Sequence, residues 1–201
     1  MGAKYMDIYG RNISIGDYPT IVASPDNYVH LTTWNLEGNE GEISIGKYCL
    51  LTPGVRIASA SKIIIGDGCM FANSAYVSDA DWHGIYDRAT PVGKTSPITL
   101  EENVWIGDRA VVGKGVKIGK NSIVAAGSVV VKDVPENVIV GGNPSKIIKE
   151  LNPEIDGNTR IKLFENPEGL KDLYDQIDQY TLKNNTTLNY LKSIFYRNKT
   201  H

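Results

Sequence analysis

A chain of 201 residues with a formal net charge of -2 has room for one sizeable core and a small appendage. It carries no global basic field to draw in nucleic acid or an anionic membrane surface. Cys49 and Cys69 are too far apart for a zinc ribbon or redox pair, no apolar stretch follows Met1 as in a secretory signal, and no apolar run could span a bilayer. The expectation is a cytoplasmic protein without membrane association.

Ile15 and Ile21 open a series of aliphatic residues spaced six apart. The series resumes as Ile45, Leu51, Ile57, then as Ile65, Phe71, Val77. It runs longest as Leu100, Ile106, Val112, Ile118, Val124, Val130. A second track lies two residues ahead: Ile43, Cys49, Val55, then Ile63, Cys69, Ala75, then Ile98, Val104, Ala110, Val116, Ser122, Ser128. Gly16, Gly46, Gly66, Gly107 and Gly119 each follow a large aliphatic, where glycine tolerates corner geometry.

A period of six does not fit a helix, whose stripe repeats near 3.6 residues, but it is a multiple of the strand period. Each unit is therefore read as a short strand plus a corner. Three units close a triangular coil, and coils stack to bury ladders of aliphatics that no single coil could bury. This predicts an all-β fold, a single-stranded parallel β-helix over residues 1–150. The alternative, a β-sandwich with chance periodicity, sits poorly with the unbroken matches from 100 to 130. The repeat itself does not reveal the handedness.

The period lapses from Ser24 to Glu42, gains two residues between Ile57 and Ile65, and breaks for a long insertion at 78–97. In a solenoid, chemistry sits on such insertions because the repeats are committed to packing. The insertion holds His83, with Asp79, Asp81 and Asp87 close in sequence. Imidazole is the side chain whose ordinary pKa lies nearest neutrality, so it can accept a proton at pH 7, with a carboxylate or carbonyl fixing its tautomer. Taken alone, His83 is equally well a loop histidine with no role. Gly93-Lys94-Thr95 is not a P-loop, because Arg88 stands where its first glycine belongs.

Three stretches carry a family resemblance: Asn103-Val104-Trp105-Ile106-Gly107-Asp108, the run from Ile118 to Pro135, and Val140-Gly141-Gly142-Asn143-Pro144-Ser145. They resemble the hexapeptide-repeat acyltransferases, and are similar to the second half of galactoside, maltose and xenobiotic acetyltransferases. The loop around Asp81-Trp82-His83-Gly84 resembles bacterial proteins that O-acetylate cell-surface polysaccharides. The resemblance implies a left-handed coil and a homotrimer with active sites between subunits. It implies an acetyl group moved directly from acetyl-CoA, with no metal, to a hydroxyl or amine of a small acceptor, a saccharide above all. His83 matches the catalytic base, with Asp81 and Asp79 as its support. Trp105 matches a tunnel tryptophan, with Trp82 and Asn73 in the same lining. Trp105 would serve equally as a hydrophobic plug between subunits.

Gly107, Ala125, Ala126 and Gly127 match positions along which the CoA arm lies, and Lys132 and Lys146 match basic positions near its phosphates. A backbone N–H near Gly107 or Ala125 is the expected oxyanion donor. Cys49 and Cys69 fall on the inward track and are read as core residues, not nucleophiles. The chain lacks the helical N-terminus of the sugar acetyltransferases, so their acceptor residues do not map across. The rivals are a non-enzymatic trimeric scaffold and, further off, a carbonic-anhydrase-like metal hydratase.

After Leu151 the period is gone, which predicts a helical extension over 151–201. Asn166-Pro167 reads as an N-cap with proline at the first helical position, and Leu170, Leu173, Tyr174 and Ile177 give one apolar face. Thr187 reads as the start of a second helix with Leu188, Leu191 and Phe195 inward. The helices are expected to cap the β-helix edge or grip a neighbouring subunit. The aromatic and basic residues 195–199 read as a solvated tail.

Overall fold

The computed structural model describes residues 3–191, apart from Glu37, Asp156, Asn158, Asn184 and Tyr190. The chain forms two compact units, Met1–Arg160 and Ile161–His201. After a 3-10 turn at Ala3–Tyr5, the first unit winds through successive coils. The first holds β1 (Met6–Tyr9), β2 (Ile13–Ile15) and β3 (Thr20–Ile21). The second holds β4 (Val29–Thr33), β5 (Glu42–Ile45) and β6 (Leu50–Leu51). The third holds β7 (Arg56–Ser59), β8 (Lys62–Ile65) and β9 (Met70–Phe71). The fourth holds β10 (Tyr76–Ser78), β11 (Ile98–Leu100) and β12 (Trp105–Ile106), and the fifth β13 (Val111–Val112), β14 (Lys117–Ile118) and β15 (Ile123–Val124). The last coil holds β16 (Val129–Val130) and β17 (Val138–Gly142), from which β18 (Ser145–Glu150) turns back.

Every strand pairs with the equivalent strand one coil away, and all pairings are parallel except β17 with β18. Three sheets result: face I (β1-β4-β7-β10-β13-β16), face II (β2-β5-β8-β11-β14) and face III (β3-β6-β9-β12-β15-β17-β18). The six-residue tracks are the ladders between them. On face III, Ile21, Leu51, Phe71, Ile106, Val124 and Val140 lie in register. On face I the ladder is Ile8, Leu31, Ile57, Val77, Val112 and Val130.

Both tracks are buried through the middle coils. Ile8 is 48% exposed, because the first coil has a neighbour on one side only. The two serines on the inward track have their polar atoms satisfied. Ser122 Oγ donates to the Pro135 carbonyl (2.6 Å) and accepts from the Val138 N–H (3.1 Å), and Ser128 Oγ accepts from the Gly142 N–H (3.2 Å). Cys49 and Cys69 are buried and donate to the Gly66 and Glu101 carbonyls. The neighbouring Cys49 thiol and burial push the Cys69 thiol above its ordinary range, which leaves it inert.

The glycines after the aliphatics have a different reason from the one expected. None of the five has a left-handed φ. A Cβ at Gly107 would stand 2.6 Å from the Ala126 nitrogen, and one at Gly46 would stand 2.7 Å from the Gly66 carbonyl carbon. They are glycine because the backbone of the next coil lies against them. Left-handed corner positions fall instead on residues such as Asn103, Asn121 and Asn137. Their amides form a ladder, Asn103 Nδ2 donating to Asn121 Oδ1 (3.0 Å) and Asn121 Nδ2 to Asn137 Oδ1 (2.9 Å).

The helices are a minor part. α1 (Arg160–Leu163) is a single turn, and α2 spans Pro167–Leu182. Asn166 caps α2 as expected, accepting from the Gly169 N–H at 3.0 Å. Residues 187–189 are also helical, with the cap one residue earlier than expected, since Thr186 Oγ1 accepts from the Asn189 N–H at 3.2 Å. On the face expected of α2, Leu173 and Ile177 are each 46% accessible while Leu170 and Tyr174 are half-buried, and Leu188 and Leu191 beyond it are exposed. Phe195 and the tail to His201 lie outside the described residues. No described helix is long and apolar enough to cross a membrane.

Phe71 has no accessible surface and sits in register between Leu51 and Ile106. Phe71→Ala is expected to cost about 4 kcal/mol, whereas Ile8→Ala at the open end costs about 1 kcal/mol. Urea denaturation checks this as a fall in midpoint at constant slope.

Candidate functional site

Three of the interruptions in the repeat fall at one corner. Residues 34–41, 60–61 and 79–97 each join a face I strand to a face II strand, in three successive coils. They therefore stack at corner I/II. The stack is held by Asp79, which has no accessible surface. Its carboxylate accepts from the Ser59 hydroxyl (2.7 Å), the Ala60 N–H (2.8 Å) and the Ser61 N–H (3.0 Å), all in the coil below.

From Asp79 the chain leaves the coil as a narrow loop. Its two arms are joined by an Ala80–Thr95 antiparallel bridge. The Asp81 N–H donates to the Lys94 carbonyl (2.9 Å), the Gly93 N–H to the Asp81 carbonyl (2.7 Å) and the Ser96 N–H to the Asp79 carbonyl (2.9 Å). From the coil above, Lys114 donates to Asp81 Oδ1 at 2.6 Å. At the tip, the Thr90 hydroxyl and Ala89 N–H donate to Asp87 and hold its carboxyl below the usual range.

His83 rides on this braced loop. Its side chain is exposed and makes no hydrogen bond or ion pair among the described residues. Its carbonyl packs so close to Gly93 that a Cβ there would stand 2.4 Å from the oxygen. The support expected of Asp79 and Asp81 goes elsewhere in this chain. Asp79 closes the coil beneath and Asp81 pairs with Lys114, so both position the loop rather than the imidazole.

Trp82 turns back onto face I, where its indole N–H donates to the Tyr76 hydroxyl at 3.0 Å. Its ring lies 5.8 Å from that of Trp34 at a 52° tilt. Beside the pair is a cleft of about 250 Å³ lined by His30, Thr32, Trp34, Arg56, Tyr76 and Trp82. Of these, only Trp82 stood out as a site residue in the sequence. A usable signal was present, because Arg56 and Tyr76 each lie between the two inward tracks and so must point outward.

The remaining site candidates gather at other corners. Asn73, Gly107, Ala125, Ala126 and Gly127 meet at corner III/I, where the chain passes from face III to the next face I strand. Lys146 pairs in register with Gly141 in the hairpin above that corner. Lys132 is exposed at corner I/II of the last coil, apart from them. Trp105 points out from face III, 43% exposed. One chain thus keeps the loop of His83 on a different edge from this corner and from Trp105.

Gly127 has φ +68, and a Cβ there would meet nothing within 4 Å, so with Ala125 and Ala126 it leaves an open cradle. Gly107 is buried under that cradle. The oxyanion donors expected near it are engaged as well: the Gly107 N–H donates to the Val124 carbonyl and the Ala125 N–H to the Val140 carbonyl, both at 2.8 Å. These bonds stitch the coils together. The Ala126 N–H, at the tip of the same corner, donates to no backbone carbonyl among the described residues.

Residues 97–132, from β11 through β16, match the bacterial transferase hexapeptide family (six repeats). A galactoside O-acetyltransferase of Escherichia coli is 36% identical over 112 residues, covering 55% of this chain and 55% of that one. The 2,3,4,5-tetrahydropyridine-2,6-dicarboxylate N-acetyltransferase of Clostridium perfringens is 54% identical over 71 residues, covering 35% of this chain and 30% of that one. Residues 97–132 carry the hexapeptide repeat of bacterial transferases.

The chain matches about half the length of the first of these curated relatives and about a third of the second. A solved structure, the N-acyltransferase AntD of Bacillus cereus in complex with dTDP and 3-hydroxybutyryl-CoA, shares the fold with a TM-score of 0.62 at 22% identity. It aligns over 85% of this chain and 86% of that one. The parallel sheets and the repeats fit a left-handed β-helix. The matched repeats begin where the 79–97 loop ends.

Asp79→Ala removes one buried acceptor from three donors and is expected to cost about 3 kcal/mol. Faster amide hydrogen exchange at Ala60 and Ser61, with the far coils unchanged, is the signature that the loss is local to corner I/II.

Proposed function

We propose that the protein is a CoA-dependent acyltransferase that moves an acetyl group from acetyl-CoA to a hydroxyl or amine of a small saccharide acceptor. The observation that carries this reading is the exposed, unpartnered imidazole of His83 on a loop braced from the coils above and below. A family that includes named O- and N-acetyltransferases supplies its context.

His83 takes the proton from the acceptor as its oxygen or nitrogen attacks the thioester carbonyl. The carbonyl electrons move to oxygen, with the Ala126 N–H as the donor available at the cradle. Collapse of the tetrahedral intermediate breaks the carbon–sulfur bond, and the proton held by His83 passes to the departing thiolate. The CoA arm lies along Ala125, Ala126 and Gly127, where small side chains leave room, and Lys146 supplies a point charge for its phosphates. Lys132, on another edge, serves the CoA of a neighbouring subunit. Trp105 and Asn73 line the tunnel on the cradle side.

The separation of corners explains why the reading includes a homotrimer. His83 and the cradle lie on different edges of one triangular coil, so a second chain must bring its cradle to the loop. A cyclic trimer does this three times with one heterologous contact. The coil is taken as left-handed, and the protein as cytoplasmic.

His83→Ala is expected to lower acceptor-dependent release of CoA by about a hundred- to ten-thousand-fold while calorimetry shows CoA binding unchanged. No turnover with any sugar or amine, together with no CoA binding by the wild type, overturns the acyltransferase reading.

Ala126→Trp is expected to abolish CoA binding by filling the cradle. Refolding equal amounts of His83→Ala and Ala126→Trp chains together then restores about a quarter of wild-type activity, since one shared site in four combines two intact halves. Activity that stays absent in the mixture rules out a site shared between subunits.

A further inference from the structure

The cleft on face I lies beside the catalytic loop and joins two indole planes to an unpaired cation. We propose that it seats the acceptor as a single sugar unit bearing a carboxylate or a phosphate. This rests on the acyltransferase reading and gives its acceptor a chemical class.

Shape argues first. Thr32 and Ala58 are register neighbours on β4 and β7, and their short side chains leave a hollow in the middle of face I. Trp34 and Trp82 stand at its corner I/II side, and Trp34 keeps 42% of its surface accessible. Indoles offer flat apolar faces to the C–H faces of a pyranose and an N–H edge for polar contacts. The volume of about 250 Å³ falls just below the roughly 300–1,000 Å³ common for ligand pockets. It suits one sugar ring. Trp82 immediately precedes His83, so a ring held there places its hydroxyls at the base of the catalytic loop.

Charge argues second. The Arg56 guanidinium stacks on the Tyr76 ring, 4.9 Å from its centroid. It has no carboxylate within ion-pair reach among the described residues. The register across face I runs Asp7, His30, Arg56, Tyr76. Asp7 is therefore on the far side of His30, whose Nδ1 lies 3.3 Å from its carboxylate. The pairing leaves Arg56 as the uncompensated charge facing the hollow. A planar guanidinium held against a ring is pre-set to receive a carboxylate or phosphate through two parallel hydrogen bonds.

A merely structural role, in which the tryptophans pin the loop and Arg56 is a solvated surface charge, makes a different prediction. The test is a tryptophan-fluorescence titration of the full chain with glucuronate, glucose 1-phosphate and glucose. At least one anionic sugar is expected to bind about tenfold more tightly than glucose. Which of the two does so separates a carboxylate site from a phosphate site. Arg56→Gln erases that preference and leaves glucose affinity unchanged, Arg56→Lys retains part of it, and Trp34→Ala weakens all three sugars. Unaltered thermal unfolding of the variants shows that the fold is intact.

Equal affinity for the three sugars, a preference that survives Arg56→Gln, or no saturable binding overturns the proposal. Calorimetry with CoA on the same protein separates the two levels. Sugar binding without CoA binding removes the acyltransferase reading and keeps the cleft, and CoA binding without a sugar preference does the reverse.

Discussion

The stacking of one coil on the next is the constraint on which the rest of this protein depends. A strand of two or three residues is far too short to hold itself together, and its partners come only from the coils above and below. The same contact that satisfies the backbone also lays Phe71 on Leu51 and Ile106 on Phe71. It leaves no room for a Cβ at Gly107 or Gly46, and it engages the N–H groups of Gly107 and Ala125. Once the faces are committed to this repeat, chemistry is confined to outward-pointing side chains, to corners, and to chain inserted between strands.

That confinement explains where the site components are. Insertions in three consecutive coils fall at the same corner, and a buried carboxylate at the root of the longest is tied to the coil beneath. Asp79 and Asp81 thereby hold a loop in place on which His83 stays unpaired. For the base proposed here, freedom from partners in its own chain is useful only if its backbone is fixed. The bracing from Ser59 below and from Lys114 above supplies that fixity.

The opposite corner works by subtraction. Ala125, Ala126 and Gly127 contribute little volume, and the cradle exists because side chains are missing from it. The aromatic cleft on face I combines both modes, with Thr32 and Ala58 too short to fill the hollow that Trp34, Trp82 and Arg56 surround. The cradle needs no departure from the repeat, whereas the cleft takes Trp34 and Trp82 from the insertions at corner I/II.

The sequence by itself determined the solenoid, because a six-residue spacing of Leu100, Ile106, Val112, Ile118, Val124 and Val130 fits only short strands with regular corners. It also marked the insertion that carries His83 and the cap at Asn166, both of which are local signals. Tertiary structure alone decided the rest. Asp79 reads like a catalytic partner from its place near His83, yet its three donors come from residues 59–61, about twenty positions away. Arg56 and Tyr76 could be assigned outward from the tracks, but His30 falls where the period lapses, and the unequal insertions conceal which residues are neighbours across face I. Corner glycines looked like conformational necessities and instead make room for the next coil's backbone. Sequence periodicity records what each residue does within its own coil; contacts between coils depend on register, and register is fixed only when the insertions have found their corner.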